Sequence, residues 1–203
     1  MHPGDHRVCF VGDSFIHGAG DAAGLGWPGR VAATARAAGW DLTAYNLGVR
    51  RDTSVDIAVR WEAECEARFH VECTPYIVFS FGANDMTILD DALRVPIPES
   101  VDNFRNIIGT AKHHCPTLFV GPLPVNDAAQ DVRIISLCAI YAQLAADADI
   151  PYLSLAQDLA GDAAWRHAVA AGDGTHPGAE GYALVAERVS NWPAWWFNAT
   201  NQK

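Results

Sequence analysis

A serine near the start of the chain and an aspartate–histidine pair near its end are the residues that could do chemistry together. Ser14 directly follows the apolar run from Val8 to Val11. A serine at a strand-to-helix turn projects outward, where it serves as a nucleophile or as a helix cap. Asp173 and His176 lie three residues apart, so the carboxylate can orient the imidazole towards a hydroxyl. The residue types therefore predict a serine hydrolase, although each residue alone also fits a turn.

Acyl transfer also requires hydrogen-bond donors for the negative charge that develops on the carbonyl oxygen. Asn84 offers a side-chain amide, and Gly48 offers a backbone amide that a substrate can approach closely. Both are common turn residues as well. Serine, glycine, asparagine and histidine in four separate loops predict one shared site only if the fold brings those loops together.

Apolar runs alternate with longer amphipathic stretches along the chain, which predicts βαβ units and a parallel sheet. Three predicted strands end at Gly12, Gly48 and Gly82, and polar residues follow each of them. Ligands bind beyond the carboxyl ends of such strands, so these loops are expected to converge at one edge. The predicted strands are 7–11, 42–47, 76–81, 117–120 and 152–155, and the predicted helices are 27–39, 54–70, 99–114, 127–148 and 178–191.

Four sequence blocks resemble the SGNH hydrolases, also called GDSL-type esterases and lipases. They occur in the family's order and at similar separations, between Val8 and Tyr182. The blocks are Gly12-Asp13-Ser14-Phe15, Asn46-Leu47-Gly48-Val49, Gly82-Ala83-Asn84-Asp85 and Asp173-Gly174-Thr175-His176-Pro177.

The resemblance implies a role for each residue named above. Ser14 would be the nucleophile, His176 the base and Asp173 the orienting carboxylate. The oxyanion hole would consist of the Ser14 and Gly48 amides and the Asn84 side chain. The implied fold is a flavodoxin-like three-layer α/β/α sandwich with a parallel five-stranded sheet. No metal and no cofactor are implied.

The sequence departs from the family pattern at two places. Phe15 stands where leucine is usual, and Arg50-Arg51 stand where a small residue and glycine commonly precede Asp-Thr. The two arginines have two interpretations. They bind an anionic group of the substrate, or they pair with Asp52 and Asp56. His17, close to Ser14 in sequence, is a further candidate for substrate binding.

Composition limits the other functions. The 203 residues carry a net charge of −10, which argues against general nucleic-acid binding and against docking on anionic membranes. The chain is expected to form one domain, 1–203, with no membrane span. Five widely spaced cysteines indicate buried, reduced thiols in a cytoplasmic protein. The tryptophan-rich tail at about 192–203 is expected to pack on the body or to form a homo-oligomer contact.

Three other functions fit parts of the sequence. A metallophosphoesterase also uses Gly-Asp and Gly-Asn turns, but it requires further histidine ligands. The segment 18–23 fits a dinucleotide-binding pattern, but it starts several residues beyond the strand end. A catalytically inactive binding domain on the same scaffold is the third alternative.

We interpret the chain as a serine esterase that acts on a small-molecule ester through an acyl-enzyme. Lipid, thioester and acetylated-carbohydrate substrates all remain open, because a fold does not determine a substrate. The segment 86–98, which mixes apolar residues with Asp90 and Asp91, is expected to border the acyl pocket.

Overall fold

The computed structural model describes residues 2–70 and 72–198, which contain seven strands and eight helices. The elements are β1 (His2–Gly12), α1 (Ser14–His17), α2 (Gly26–Ala37), β2 (Trp40–Gly48), α3 (Ser54–Glu66), β3 (Thr74–Ser80), β4 (Ile88–Leu89), β5 (Ala92–Leu93), α4 (Ile97–His114), β6 (Thr117–Val120), α5 (Ala128–Asp147), β7 (Tyr152–Leu153), α6 (Ala156–Gly161), α7 (Ala163–Ala171) and α8 (Ala179–Ser190).

A five-stranded parallel sheet forms the central layer, with strand order β2-β1-β3-β6-β7. This is the flavodoxin-like order. The strands remain parallel, but the direction in which successive strands are added to the sheet reverses between β1 and β3. Helices flank the sheet: α2 packs with α8, whereas α4 packs with α3 and α5. Val8, Phe10 and Val11 of β1 are fully buried, as expected for a strand covered on both faces. The predicted three-layer α/β fold is confirmed.

Four features were not predicted: the single-turn helix α1, the hairpin of β4 and β5, and the helices α6 and α7. The hairpin turns at Asp90 and Asp91, whose φ angles are +49° and +61°. Two left-handed residues match the twist of a two-residue hairpin, and aspartate tolerates that conformation better than most residues do. The turn lacks glycine, which is the usual sequence signal for such a hairpin.

The tryptophan-rich segment packs on the body of the protein. Trp195 and Phe197 are almost completely buried. The Phe197 ring centroid lies 5.2 Å from that of Trp40, and the Trp196 centroid lies 4.7 Å from that of Tyr76. The prediction that the tryptophan-rich segment packs on the body is therefore confirmed for residues 192–198. Residues 199–203 lie outside the described part, and the homo-oligomer contact stays a prediction.

All five cysteines are free thiols, and all except Cys73 are buried. The predicted burial of the thiols is confirmed for these four, while their reduced state and the cytoplasmic location stay predictions. Among residues 2–70 and 72–198, no helix is long and apolar enough to cross a bilayer.

Candidate active site

Ser14 lies just beyond the carboxyl end of the interior strand β1, where the chain turns into α1. A β-carbon at residue 12 would overlap the carbonyl oxygen of Ser80 on β3, so only glycine fits there. The Asp13 carboxylate caps α1 and accepts a hydrogen bond of 2.9 Å from the N–H of Phe15. Ser14 is therefore the first residue of the helix, and first-turn N–H groups have no acceptor within their own helix.

The structure brings Ser14, His176 and Asp173 into one hydrogen-bonded chain. His176 Nε2 lies 2.7 Å from Ser14 Oγ, and His176 Nδ1 lies 2.8 Å from Asp173 Oδ2. Ser14 and His176 are 162 positions apart in sequence. The turn between α7 and α8 supplies the other two residues, and Asp173 Oδ1 accepts a hydrogen bond of 2.7 Å from the N–H of His176.

The charge on Asp173 determines the tautomer of His176. Partial burial would raise the pKa of Asp173, but hydrogen bonds from the His176 side chain and from two backbone N–H groups lower it to about 2. An ionised carboxylate only accepts hydrogen bonds, so Nδ1 carries the imidazole proton. Nε2 is then left to accept the hydroxyl proton of Ser14. The His176 side chain is only 10% exposed. The Phe15 ring packs against it, with 5.3 Å between the two ring centroids.

Asn84 lies on the loop that follows β3 and is fixed by its neighbours. One proton of its side-chain amide is donated to the carbonyl oxygen of Asp52, at 2.8 Å. The second amide proton is available for a ligand. The next residue, Asp85, is fully buried and accepts hydrogen bonds from the N–H of Ser54 and the hydroxyl of Ser100. The Asp85 carboxylate therefore holds the Asn84 loop against the start of α3.

Gly48 and His17 do not line the cavity that opens beside Ser14 and His176. The N–H of Gly48 donates to Asn46 Oδ1 at 3.0 Å, and a β-carbon at residue 48 would overlap the His17 backbone. Gly48 thus allows the close approach of α1 to β2, and its amide is already hydrogen-bonded. His17 is exposed at the end of α1 and does not line the cavity. This geometry does not support the expectation that these two residues contact the substrate.

A cavity of about 510 Å³ opens beside Ser14 and His176. Asn84, Arg50 and Arg51 also line it, and their contact with a substrate stays a prediction. From the segment 86–98, Thr87, Leu89 and Arg94 reach the cavity, whereas Met86 and Val95 are buried in the core. Helix α5 and the loop before it contribute further residues that the sequence did not suggest: Val125, Asn126, Asp127 and Gln130.

Arg60 of α3 is a positioning residue that the sequence analysis missed. Its guanidinium donates to the carbonyl oxygens of Gly12, at 2.9 Å, and of Leu47, at 3.0 Å. It also pairs with the Asp52 carboxylate at 2.7 Å. Arg60 thus joins the ends of β1 and β2 to the loop that carries Arg50 and Arg51.

Residues 10–184 match the model of the GDSL-like lipase/acylhydrolase family. The chain belongs to this family. As a GDSL-like acylhydrolase, it is a carboxylic ester hydrolase. No protein with a curated function matches it at a significant level.

Solved structures of several other proteins share the fold at low sequence identity. A lipase/acylhydrolase from Enterococcus faecalis has a TM-score of 0.75 at 21% identity, covering 90% of this chain and 92% of that one. A G-D-S-L family protein from Desulfitobacterium hafniense has a TM-score of 0.70 at 22% identity, with 89% and 95% covered. A catalytic mutant of an acetylxylan esterase from Geobacillus stearothermophilus has a TM-score of 0.72 at 17% identity, with 92% and 94% covered.

Asp13 is a buried acid next to Ser14. Burial raises its pKa from 3.8 to about 7, and the nearby carboxylates of Asp85 and Asp52 add to this. The folded protein therefore keeps a proton that the unfolded chain releases between about pH 4 and pH 7. Stability is lost as the pH rises through this window, because ionised Asp13 is poorly solvated in the fold.

We expect Asp13→Asn to remove this pH dependence. The free energy of unfolding of the variant, relative to the wild type, should increase by about 1.4 kcal/mol per pH unit between about pH 5 and pH 7. Urea unfolding at several pH values measures this difference. Asp158→Asn is the control, because Asp158 is exposed and the substitution changes the net charge equally. A difference for Asp13→Asn that does not vary with pH would contradict the prediction.

Proposed function

We propose that this GDSL-like acylhydrolase cleaves carboxylic esters by a serine mechanism with an acyl-enzyme intermediate. The hydrogen-bonded chain from Ser14 through His176 to Asp173 is the observation that carries the proposal, with distances of 2.7 Å and 2.8 Å. A nucleophile, its base and the group that orients the base form this arrangement in enzymes of unrelated folds.

The first half of the reaction forms the acyl-enzyme. Ser14 Oγ attacks the carbonyl carbon of the ester, and its proton moves to His176 Nε2. The bond between the carbonyl carbon and the alcohol oxygen then breaks, and Nε2 returns the proton to the departing alcohol. Asp173 stabilises the imidazolium and keeps it oriented, since its carboxylate stays ionised.

The second half hydrolyses the acyl-enzyme. His176 removes a proton from a water molecule, which attacks the acyl carbon, and Ser14 leaves with that proton. The acid is then released. Both halves pass through an oxyanion, for which the backbone N–H of Ser14 and the second amide proton of Asn84 are the proposed donors. Gly48 is left out of this set because its N–H is bound to Asn46.

The catalytic mutants known for one structural relative support the assignment of roles. In the acetylxylan esterase from Geobacillus stearothermophilus, catalytic mutants replace a serine, an aspartate and a histidine. The same three residue types meet at Ser14, Asp173 and His176 here. Acetylated carbohydrates therefore stay among the proposed substrates, beside lipid esters and thioesters.

A metal-dependent phosphoesterase is less compatible with this site. In the part of the chain that the structure describes, one group of ligating side chains converges, and it consists of Glu62, Glu66 and His114. All three residues are exposed, and none of them lines the cavity beside Ser14.

We expect Ser14→Ala to lower ester hydrolysis by about 10⁴-fold or more, because among the described residues only the Ser14 hydroxyl is hydrogen-bonded to His176. Release of p-nitrophenol from p-nitrophenyl acetate measures the rate, and circular dichroism checks the fold. Ser136→Ala, which removes an exposed hydroxyl from α5, is the matched control and should keep the wild-type rate. The wild type should also keep its rate in a metal chelator. A folded Ser14→Ala protein with the wild-type rate would refute the serine mechanism.

Asn84→Ala should lower kcat by about 100- to 1,000-fold and leave KM nearly unchanged, since an oxyanion donor acts only as charge develops. Steady-state kinetics with the same ester separate the two constants. Asn103→Ala is the control, because Asn103 donates an amide hydrogen bond to Ser54 but does not line the cavity. A large rise in KM with an unchanged kcat would instead assign Asn84 to ground-state binding.

A further inference from the structure

We propose that Arg50 and Arg51 form a subsite for an anionic group, a carboxylate or a phosphate, carried by the ester substrate. This inference rests on the proposed esterase function and narrows its substrate class. Both arginines line the cavity that contains Ser14 and His176. An anion bound there would place the ester within reach of the nucleophile.

Arg50 and Arg51 differ from the other arginines in the hydrogen bonding of their side chains. The chain has twelve arginines, and ten of them donate a side-chain hydrogen bond to a carboxylate or a main-chain carbonyl. Within the described residues, the two arginines whose side chains lack such an acceptor are Arg50 and Arg51. The fold therefore uses the other guanidinium groups internally and leaves this adjacent pair free at the cavity.

The alternative that Arg50 and Arg51 pair with neighbouring acids does not hold. Asp52 pairs with Arg60, and Asp56 accepts hydrogen bonds from the N–H and the hydroxyl of Thr53 in a capping box. The two carboxylates closest in sequence thus have other partners, and neither forms an ion pair with Arg50 or Arg51.

Among the residues that the structure describes, one carboxylate lines the cavity, and it also has a partner. Asp127 caps α5, and its Oδ1 accepts the N–H of Gln130 at 2.8 Å. A third guanidinium, that of Arg94, lines the same cavity. Among the residues that line the cavity, arginine side chains thus outnumber carboxylates three to one, in a protein whose net charge is −10. The charge at the cavity is therefore opposite in sign to that of the whole molecule.

The loop holds Arg51 in an unusual backbone conformation. Its φ angle is +74°, in the left-handed region that favours glycine and that other residues adopt only at a cost in stability. Besides the Arg60–Asp52 ion pair, two hydrogen bonds hold the loop: Arg94 donates to the carbonyl oxygen of Arg51 at 2.9 Å, and Asn84 donates to that of Asp52. A side chain at a position that favours glycine needs a reason, and a cation beside the nucleophile supplies one.

Guanidinium groups suit this task because their N–H groups match the oxygens of a carboxylate or phosphate in pairs. Arg50 and Arg51 are exposed, so they reach a substrate without first losing an internal partner. The subsite accordingly favours anionic esters. When the ester carbonyl is at Ser14, the negatively charged group of the substrate lies beside Arg50 and Arg51.

Three acetyl esters of similar size test the proposal. They are 4-acetoxybenzoate, 4-acetoxyphenyl phosphate and the neutral methyl 4-acetoxybenzoate. The two anionic esters distinguish a carboxylate from a phosphate, and the neutral ester tests the esterase function by itself. The measured quantity is the ratio of kcat/KM for each anionic ester to kcat/KM for the neutral one.

In Arg50→Gln and in Arg51→Gln, this ratio should fall about tenfold for at least one anionic ester, the loss expected for a charge-assisted hydrogen bond. Arg105→Gln removes the same charge from an exposed position on α4 and should leave the ratio unchanged. Added salt should lower the wild-type ratio, because it screens exposed charges.

The outcomes separate the two claims. If the wild type hydrolyses the neutral ester but the Arg50, Arg51 and Arg105 variants all keep the wild-type ratio, the subsite is refuted and the esterase function stands. If the wild type hydrolyses none of the three esters, the proposed function fails, and the subsite fails with it.

Discussion

The geometry of the site depends on the hydrogen bonds and the ion pair that the guanidinium group of Arg60 makes. This group donates to the ends of β1 and β2, at Gly12 and Leu47, and pairs with Asp52. The planar group presents several N–H donors in fixed directions, which the single ammonium group of a lysine does not. One largely buried side chain thus sets the separation of two strand ends and the path of the loop beside them.

Two functional features follow from that constraint. Ser14 comes two residues after Gly12, so the position of the nucleophile depends on the end of β1. Arg50 and Arg51 lie between Leu47 and Asp52, so the same interaction keeps both at the cavity rim. Arg60 also takes up the Asp52 carboxylate, so Asp52 does not pair with Arg50 or Arg51 at the cavity. The ion pair that orders the loop therefore also makes its cations available to a substrate.

The parts of the site that local sequence encodes could be predicted, and the parts that depend on main-chain geometry could not. The Asp173–His176 turn and the strand-end Ser14 carry short motifs, and the alternation of elements indicated the sheet that brings them together. Arg60 has no comparable signal, because two of its acceptors are carbonyl oxygens that any residue provides. Gly48 was expected to admit a substrate, but the structure shows that its missing side chain admits the backbone of His17 instead.

The most direct test of the account is to locate the nucleophile chemically. A fluorophosphonate reacts with a serine that an adjacent base activates, and peptide mass spectrometry identifies the modified residue. The account predicts one adduct, on the peptide that contains Ser14, with labelling much reduced in His176→Ala. An enzyme that hydrolyses esters but is labelled at another residue, or an adduct on Ser14 that forms equally fast without His176, would contradict it.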